Sequence, residues 1–114
     1  KNEYYEQIIS TLKWLEINWD EEPKKIYNLI RGCDPQPGAW TNINSKKVFF
    51  YDCKISKNKQ KLNHKQIFIS KDEVCIGMKK EIMTIGRIKT EGEKKINSYE
   101  WMKINKIKNY SIIK

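Results

Sequence analysis

The chain has 114 residues, enough for one domain with one core and too few for two. At 39% hydrophobic and 32% charged it is not a disordered composition, and no apolar run approaches the ~20 residues that would span a bilayer. The formal net charge of +9 at pH 7 favours polyanionic partners, nucleic acid foremost.

The first residues, KNEYYEQIIS, lack the charged-then-apolar layout of a signal peptide, so a cytoplasmic location is expected. The chain does not begin with methionine, and Lys1 is therefore not expected to be the natural start. Tyr5, Ile8, Ile9 and Leu12 recur at helical spacing, and LEINW reads as a short extended piece. Residues 1–19 are expected to form a lead-in segment, with the domain itself over 20–114. The next helix has Asp20 as its expected N-cap, Glu21 and Glu22 in its first turn, and Pro23 where the missing N–H has no partner to lose. Ile26, Leu29 and Ile30 form its apolar stripe, and Arg31 and Gly32 suit its C-terminal end.

The stretch IRGCDPQPGAW follows. Pro35 and Pro37 hold φ at two places, and Gly38 permits backbone geometry closed to other residues, so a stiff corner between helix and first strand is expected. Trp40, at the start of that strand, is expected to plug the end of a barrel, with base stacking as the alternative.

From Ala39 the period changes to two. AWTNI and KVFFYDCKI are β-rich runs separated by a hairpin turn at NSKK. After the polar, lysine-rich SKNKQKLNHK come QIFIS, EVCIGMK and IMTIGRIKT. Five short strands in meandering order predict a mainly β fold with flanking helices, a small open OB-like barrel. Asn97 caps a last helix from about Ser98, with Glu100 in the capping-box position and Trp101 and Ile104 on one face.

Cys33, Cys53 and Cys75 are an odd number at wide spacing and read as packed, reduced thiols. His64, the only histidine, has polar neighbours, reads as a surface-loop residue and cannot alone build a metal site. No nucleophile–base pairing and no glycine-rich phosphate loop is visible, so no catalytic, cofactor-binding or metal-ligating residue is assigned. The charge is uneven: residues 1–60 hold 10 Lys+Arg against 8 Asp+Glu, and residues 61–114 hold 13 against 6. Candidate phosphate-binding residues are Lys57, Lys59, Lys61 and Lys65 in the loop and Lys79 and Lys80 in a turn. A solvated loop accounts for the same lysines. Phe49, Phe50 and Tyr51 are candidate stacking platforms for single-stranded nucleic acid, although strand alternation points two of them one way and one the other.

Residues 17–41, INWDEEPKKIYNLIRGCDPQPGAWT, resemble the junction that opens the C-terminal domain of the formyltransferase family, which includes methionyl-tRNA formyltransferase and the hydrolase domain of 10-formyltetrahydrofolate dehydrogenase. The family pattern is I-D-W, then I-x-N-x-I-R, then P-x-P-G-A-[WYF]-T. Asn18 stands where the family usually has aspartate, and Arg31-Gly32 is similar to the dehydrogenase-type members. Residues 85–103, IGRIKTEGEKKINSYEWMK, resemble that domain's last strand, turn and closing helix. The resemblance makes Arg31, Gly32, Pro35, Pro37, Gly38 and Trp40 a structural motif. It implies an open OB-like barrel that follows a Rossmann-like formyl-transfer domain, missing here, where 10-formyltetrahydrofolate and the catalytic asparagine, histidine and aspartate would reside. In the tRNA-formylating members it implies a basic surface for tRNA. Alternative parents are a formyltetrahydrofolate hydrolase or a sugar N-formyltransferase. A free-standing single-strand binder and a dimerisation or interdomain element are the readings from other classes.

Overall fold

The computed structural model describes residues 15–56 and 61–113. The helix expected around Tyr5, Ile8, Ile9 and Leu12 lies outside them, as do Lys57 and Lys59. Pro23, with its preset φ and no N–H, takes the first position of helix α1 (Pro23–Cys33). The N-cap position is Glu22, whose side chain makes no capping bond; Asp20 lies outside the helix, its N–H donating to Asn18 Oδ1 at 3.0 Å. Asp20 is therefore not the cap. The helix also runs through Gly32 to Cys33, and its end comes at Asp34, which is extended as a residue before proline must be. Gly32 is thus an exposed helical residue and not a left-handed stop.

Eight strands follow: β1 (Ala39–Ile43), β2 (Lys46–Tyr51), β3 (Lys54–Ile55), β4 (Ile67–Ile69), β5 (Val74–Gly77), β6 (Ile82–Ile85), β7 (Arg87–Thr90) and β8 (Ile96–Asn97). They form two antiparallel four-stranded sheets, in the order β1-β2-β7-β8 and β3-β6-β5-β4. No closed barrel forms among the described residues, so the domain is mainly β, open, and flanked by two helices. Asn44 and Ser45, with φ of 51° and 68°, make the two-residue turn of the β1–β2 hairpin, the geometry that matches strand twist.

Two of the five expected strands are each split in two. KVFFYDCKI breaks at Asp52, where φ is 55°, and the chain leaves the first sheet at β2 to enter the second at β3. IMTIGRIKT breaks at Gly86 and returns from β6 to β7. The two crossings touch: a Cβ on Gly86 would lie 2.6 Å from both Cβ and the carbonyl oxygen of Asp52. Only glycine lets the two switching strands approach this closely. Arg87 Nε then meets Asp52 Oδ2 at 2.5 Å, joining them by charge.

The main core lies between the sheets, with Val48, Phe50, Val74, Ile76, Met83, Ile85 and Ile88 all at 1% exposure or less. Ile26 and Ile30 of α1 seal one part of it, and helix α2 (Ser98–Ile104) adds Trp101 and Met102. Asn97 caps α2 as expected, accepting from the N–H groups of Tyr99 and Glu100. Ile104, expected on one face with Trp101, is 66% exposed at the last position of α2, while Trp101 is buried. Residues 15–19 also contribute, with Leu15, Ile17 and Trp19 buried and Trp19 Nε1 donating to Thr41 Oγ1 at 3.1 Å. Beyond α2 the chain returns along β4: Tyr110 N donates to Ile67 O, Ile67 N to Ser111 O and Ile113 N to Lys65 O.

Candidate nucleic-acid interface

The corner after α1 is held from three sides. Gly38 has φ +95° and donates to Cys33 O at 2.9 Å, and a Cβ there would meet Tyr51 Oη at 2.5 Å. Tyr51 Oη donates to Pro37 O, Lys95 Nζ donates to Pro35 O at 3.1 Å, and Asp34 Oδ2 accepts the N–H of Asp52. These contacts tie the corner to the end of β2 and to the segment before β8. Arg31, in the last helical turn, lies over the Tyr27 ring and donates to Asn28 Oδ1.

Trp40 does not plug the interior between the sheets. Its side chain lies on the opposite face of β1, in a second apolar cluster with Leu15, Cys33, Phe49 and Tyr51. Strand β2 is consequently buried on both faces, with Phe50 on the main core and Phe49 and Tyr51 on the outer cluster. All three aromatic side chains are at 1% exposure or less, which removes them as stacking platforms. The outer cluster is roofed by cations: Lys47 Nζ stands 4.4 Å from the Trp40 ring centroid, Lys89 Nζ 5.5 Å from that of Phe49, and Lys95 Nζ 3.9 Å from that of Tyr51. None of these three lysines was a candidate in the sequence, although Lys47 and Lys89 occupy outward positions of alternating strands and were legible as such.

Of the loop and turn lysines, Lys61, Lys65, Lys79 and Lys80 are among the described residues, close to the end of β5 in the second sheet. Lys65 N donates to Gly77 O and Gly77 N to Gln66 O, which sets the loop 61–66 against the end of β5, immediately before Lys79 and Lys80. Lys61, Lys79 and Lys80 are exposed; Lys65 is half-buried, and its backbone, at φ 67°, serves the packing. His64 is not a passive loop residue: Nε2 lies 2.6 Å from Trp19 O, which fixes the proton on that nitrogen, and 3.7 Å from Asp20 Oδ1.

Cys33, Cys53 and Cys75 are free thiols. Burial pushes Cys53 up to about 12 and Cys75 up to about 11, and it raises Cys33, so these thiols stay protonated near neutral pH. Among the described residues no three His, Cys, Asp or Glu side chains come together as a metal site would need, and no helix is long and apolar enough to cross a membrane.

Two four-stranded sheets exchanging strands at Asp52 and Gly86, entered through a helix and a Pro-x-Pro-Gly corner, define a small open β domain with a basic exterior. Residues 13–106 match the family model for the formyl transferase C-terminal domain, and the chain belongs to that family. Methionyl-tRNA formyltransferase of Geobacter metallireducens is 28% identical over 86 residues, 75% of this chain and 27% of that protein. Mitochondrial 10-formyltetrahydrofolate dehydrogenase of Homo sapiens is 53% identical over 36 residues, 32% of this chain and 4% of that protein. HypX of Aquifex aeolicus, solved in complex with tetrahydrofolic acid, superposes with a TM-score of 0.68 at 18% identity, covering 88% of this chain and 18% of HypX, and so shares the fold. The chain spans about a quarter of the length of the methionyl-tRNA formyltransferase relative.

Proposed function

We propose that this chain is the accessory C-terminal domain of a 10-formyltetrahydrofolate-dependent, cytoplasmic formyltransferase of the methionyl-tRNA formyltransferase kind. Residues 20–114 form the bulk of the domain, Leu15, Ile17 and Trp19 at the end of the lead-in pack into it, and the lead-in connects it to a Rossmann-like catalytic domain, which holds the cofactor and the reacting groups. The observation that carries this reading is the family match over residues 13–106, in a chain that corresponds to only a quarter of a methionyl-tRNA formyltransferase. The domain's part is to hold the acceptor RNA by its phosphates through Lys61, Lys65, Lys79 and Lys80, with Lys57 and Lys59 of the same loop. Lysine binds phosphate as a point charge without the fork that reads guanine, so the contact positions the acceptor and does not select its sequence.

Labelled tRNA titrated against the chain tests this. With six or so phosphate contacts, affinity falls by about 10³ or more between about 50 and about 200 mM salt through counterion release. No binding at the lower salt overturns the RNA role. The chain alone turns over no formyltetrahydrofolate, having no acid–base or nucleophilic constellation in its sequence; turnover above a buffer blank refutes that. A second parent, a formyltetrahydrofolate hydrolase, is favoured by one observation, the 53% identity over 36 residues to the human dehydrogenase. In that case tRNA binds no better than any other polyanion.

A further inference from the structure

With Phe49, Phe50 and Tyr51 buried, an open aromatic face is found instead on the outer side of the second sheet. Strand β4 turns Ile67 and Ile69 to the main core, so Phe68 between them stands on the opposite face, paired across the ladder with Cys75. Its half-buried ring meets that of Tyr110 at a centroid distance of 5.9 Å and a tilt of 47°. Tyr110 is 50% exposed. The segment that carries it is pinned to β4: Tyr110 N donates to Ile67 O at 2.7 Å, Gln66 Nε2 to Tyr110 O at 3.2 Å, and Ile69 N to Asn109 Oδ1 at 2.9 Å. Ser111 N donates to Lys108 O at 3.1 Å, which closes a turn with Tyr110 in its third position at φ 68°. Glycine or asparagine ordinarily holds a left-handed turn position of this kind. A tyrosine there strains the backbone and still leaves half of its surface in water, a combination for which packing alone gives no reason.

Cations border the pair. Lys108, exposed, opens the turn, and Lys65 lies three residues before Phe68. Lys79 and Lys80 follow β5 just beyond Gly77, whose N–H donates to Gln66 O. Glu73 shares the outer face, but Thr84 Oγ1 donates to its carboxylate at 3.4 Å from β6, on the side away from β4.

We propose that Phe68 and Tyr110 form a stacking platform for an unpaired base of the RNA, beside the lysines that hold its phosphates; this rests on the RNA reading above. A nucleotide brings a flat π-face and a negative charge together, and an open aromatic ring between Lys65 and Lys108 meets both. Every base has such a face, so the platform adds affinity without selecting sequence. Its occupant is single-stranded, because a base inside a duplex is already covered by its neighbours.

The test titrates the 114-residue chain at low salt with a single-stranded oligoadenylate of about eight nucleotides that carries one fluorescent adenine analogue, and with an abasic ribose-phosphate chain of equal length. Stacking quenches the analogue, so saturable quenching is expected, with upfield shifts of the Tyr110 ring protons, and the abasic chain binds about tenfold more weakly. Tyr110→Gly suits the turn and removes the ring: affinity for the oligoadenylate falls about tenfold, while the salt-dependence slope, which counts phosphate contacts, is unchanged. Tyr110→Trp keeps the binding. Should the glycine variant misfold, the quenching and ring-proton shifts of the unaltered chain decide. Equal affinity for the two chains, or saturation without quenching and ring shifts, as for a face that takes a protein, overturns the platform and leaves the phosphate contacts standing. Failure to bind either chain overturns the RNA reading and the platform with it.

Discussion

The first and second sheets carry lysine in two different ways. On the first, Lys47, Lys89 and Lys95 set their ammonium groups over the rings of Trp40, Phe49 and Tyr51, so that the charge itself is engaged in covering an apolar cluster. On the rim of the second, Lys61, Lys79 and Lys80 lie exposed in a loop and a turn. A lysine on the pleat beside an aromatic row is part of the packing; a lysine in a turn is available to a partner. The net charge of a chain therefore overstates the charge that it can offer.

The largest effect belongs to the first sheet's outer cluster. Gly38→Val places a β-branched side chain at φ +95° against Tyr51 and Phe49, and the expected loss is about 3 kcal/mol, from backbone strain and overpacking together. Thermal unfolding would register it as a fall of about 12 °C or more. An unchanged midpoint would mean that the corner does not rest on Tyr51.

Replacing both Lys79 and Lys80 by glutamine should leave the midpoint where it is and lower the salt-dependence slope of tRNA binding by roughly two, since each phosphate contact contributes about 0.9. Lys47→Gln should do the opposite, taking about 0.5–1 kcal/mol of stability through its contact with Trp40 and moving RNA affinity less. If Lys47→Gln and the double variant behave alike, the distinction between packing and available lysines fails.

The thiols give a comparison in pH. Cys53, just past the first sheet, and Cys75, inside the second, are both held protonated by burial, to about 12 and about 11. In the unfolded chain they ionise near 8.5, so above that pH the unfolded state has lost protons that the native state keeps, and stability falls as pH rises from about 9 towards 12. A Cys53→Ala, Cys75→Ala double variant should flatten this alkaline limb of the midpoint-against-pH curve. Below pH 8 its profile should run parallel to that of the unaltered chain.

The smallest effect is expected at Lys25, whose ammonium is 3.5 Å from Glu21 on the exposed side of the first helical turn. Lys25→Ala should change stability by no more than about 0.5 kcal/mol in a thermal melt. A larger loss would show that the entry helix draws on its surface charge as well as on Ile26 and Ile30.

Much of this fold was legible residue by residue. Pro23 marks a helix start by its own chemistry, Asn97 is a capping residue wherever it precedes a helix, and Pro35, Pro37 and Gly38 make a corner through φ alone. The alternation of AWTNI and the run around VFFY likewise announced strands, and these local preferences do not depend on what the rest of the chain does. Other features depend on distant partners. KVFFYDCKI reads as one strand until Asp52 and Gly86 are seen to cross at a single point, a contact between residues 34 apart in sequence. Trp40 reads as a barrel plug until Leu15, Cys33 and Tyr51 are found on the other side of its sheet. The sequence by itself determined the elements, the corner and the basic character, because these arise from short-range sterics and from counting charges. Only the tertiary structure decided which lysines roof an apolar cluster, which aromatics are buried on both faces of β2, and where the sheets fail to close, because side-chain burial and edge pairing are set by long-range register that no local pattern encodes.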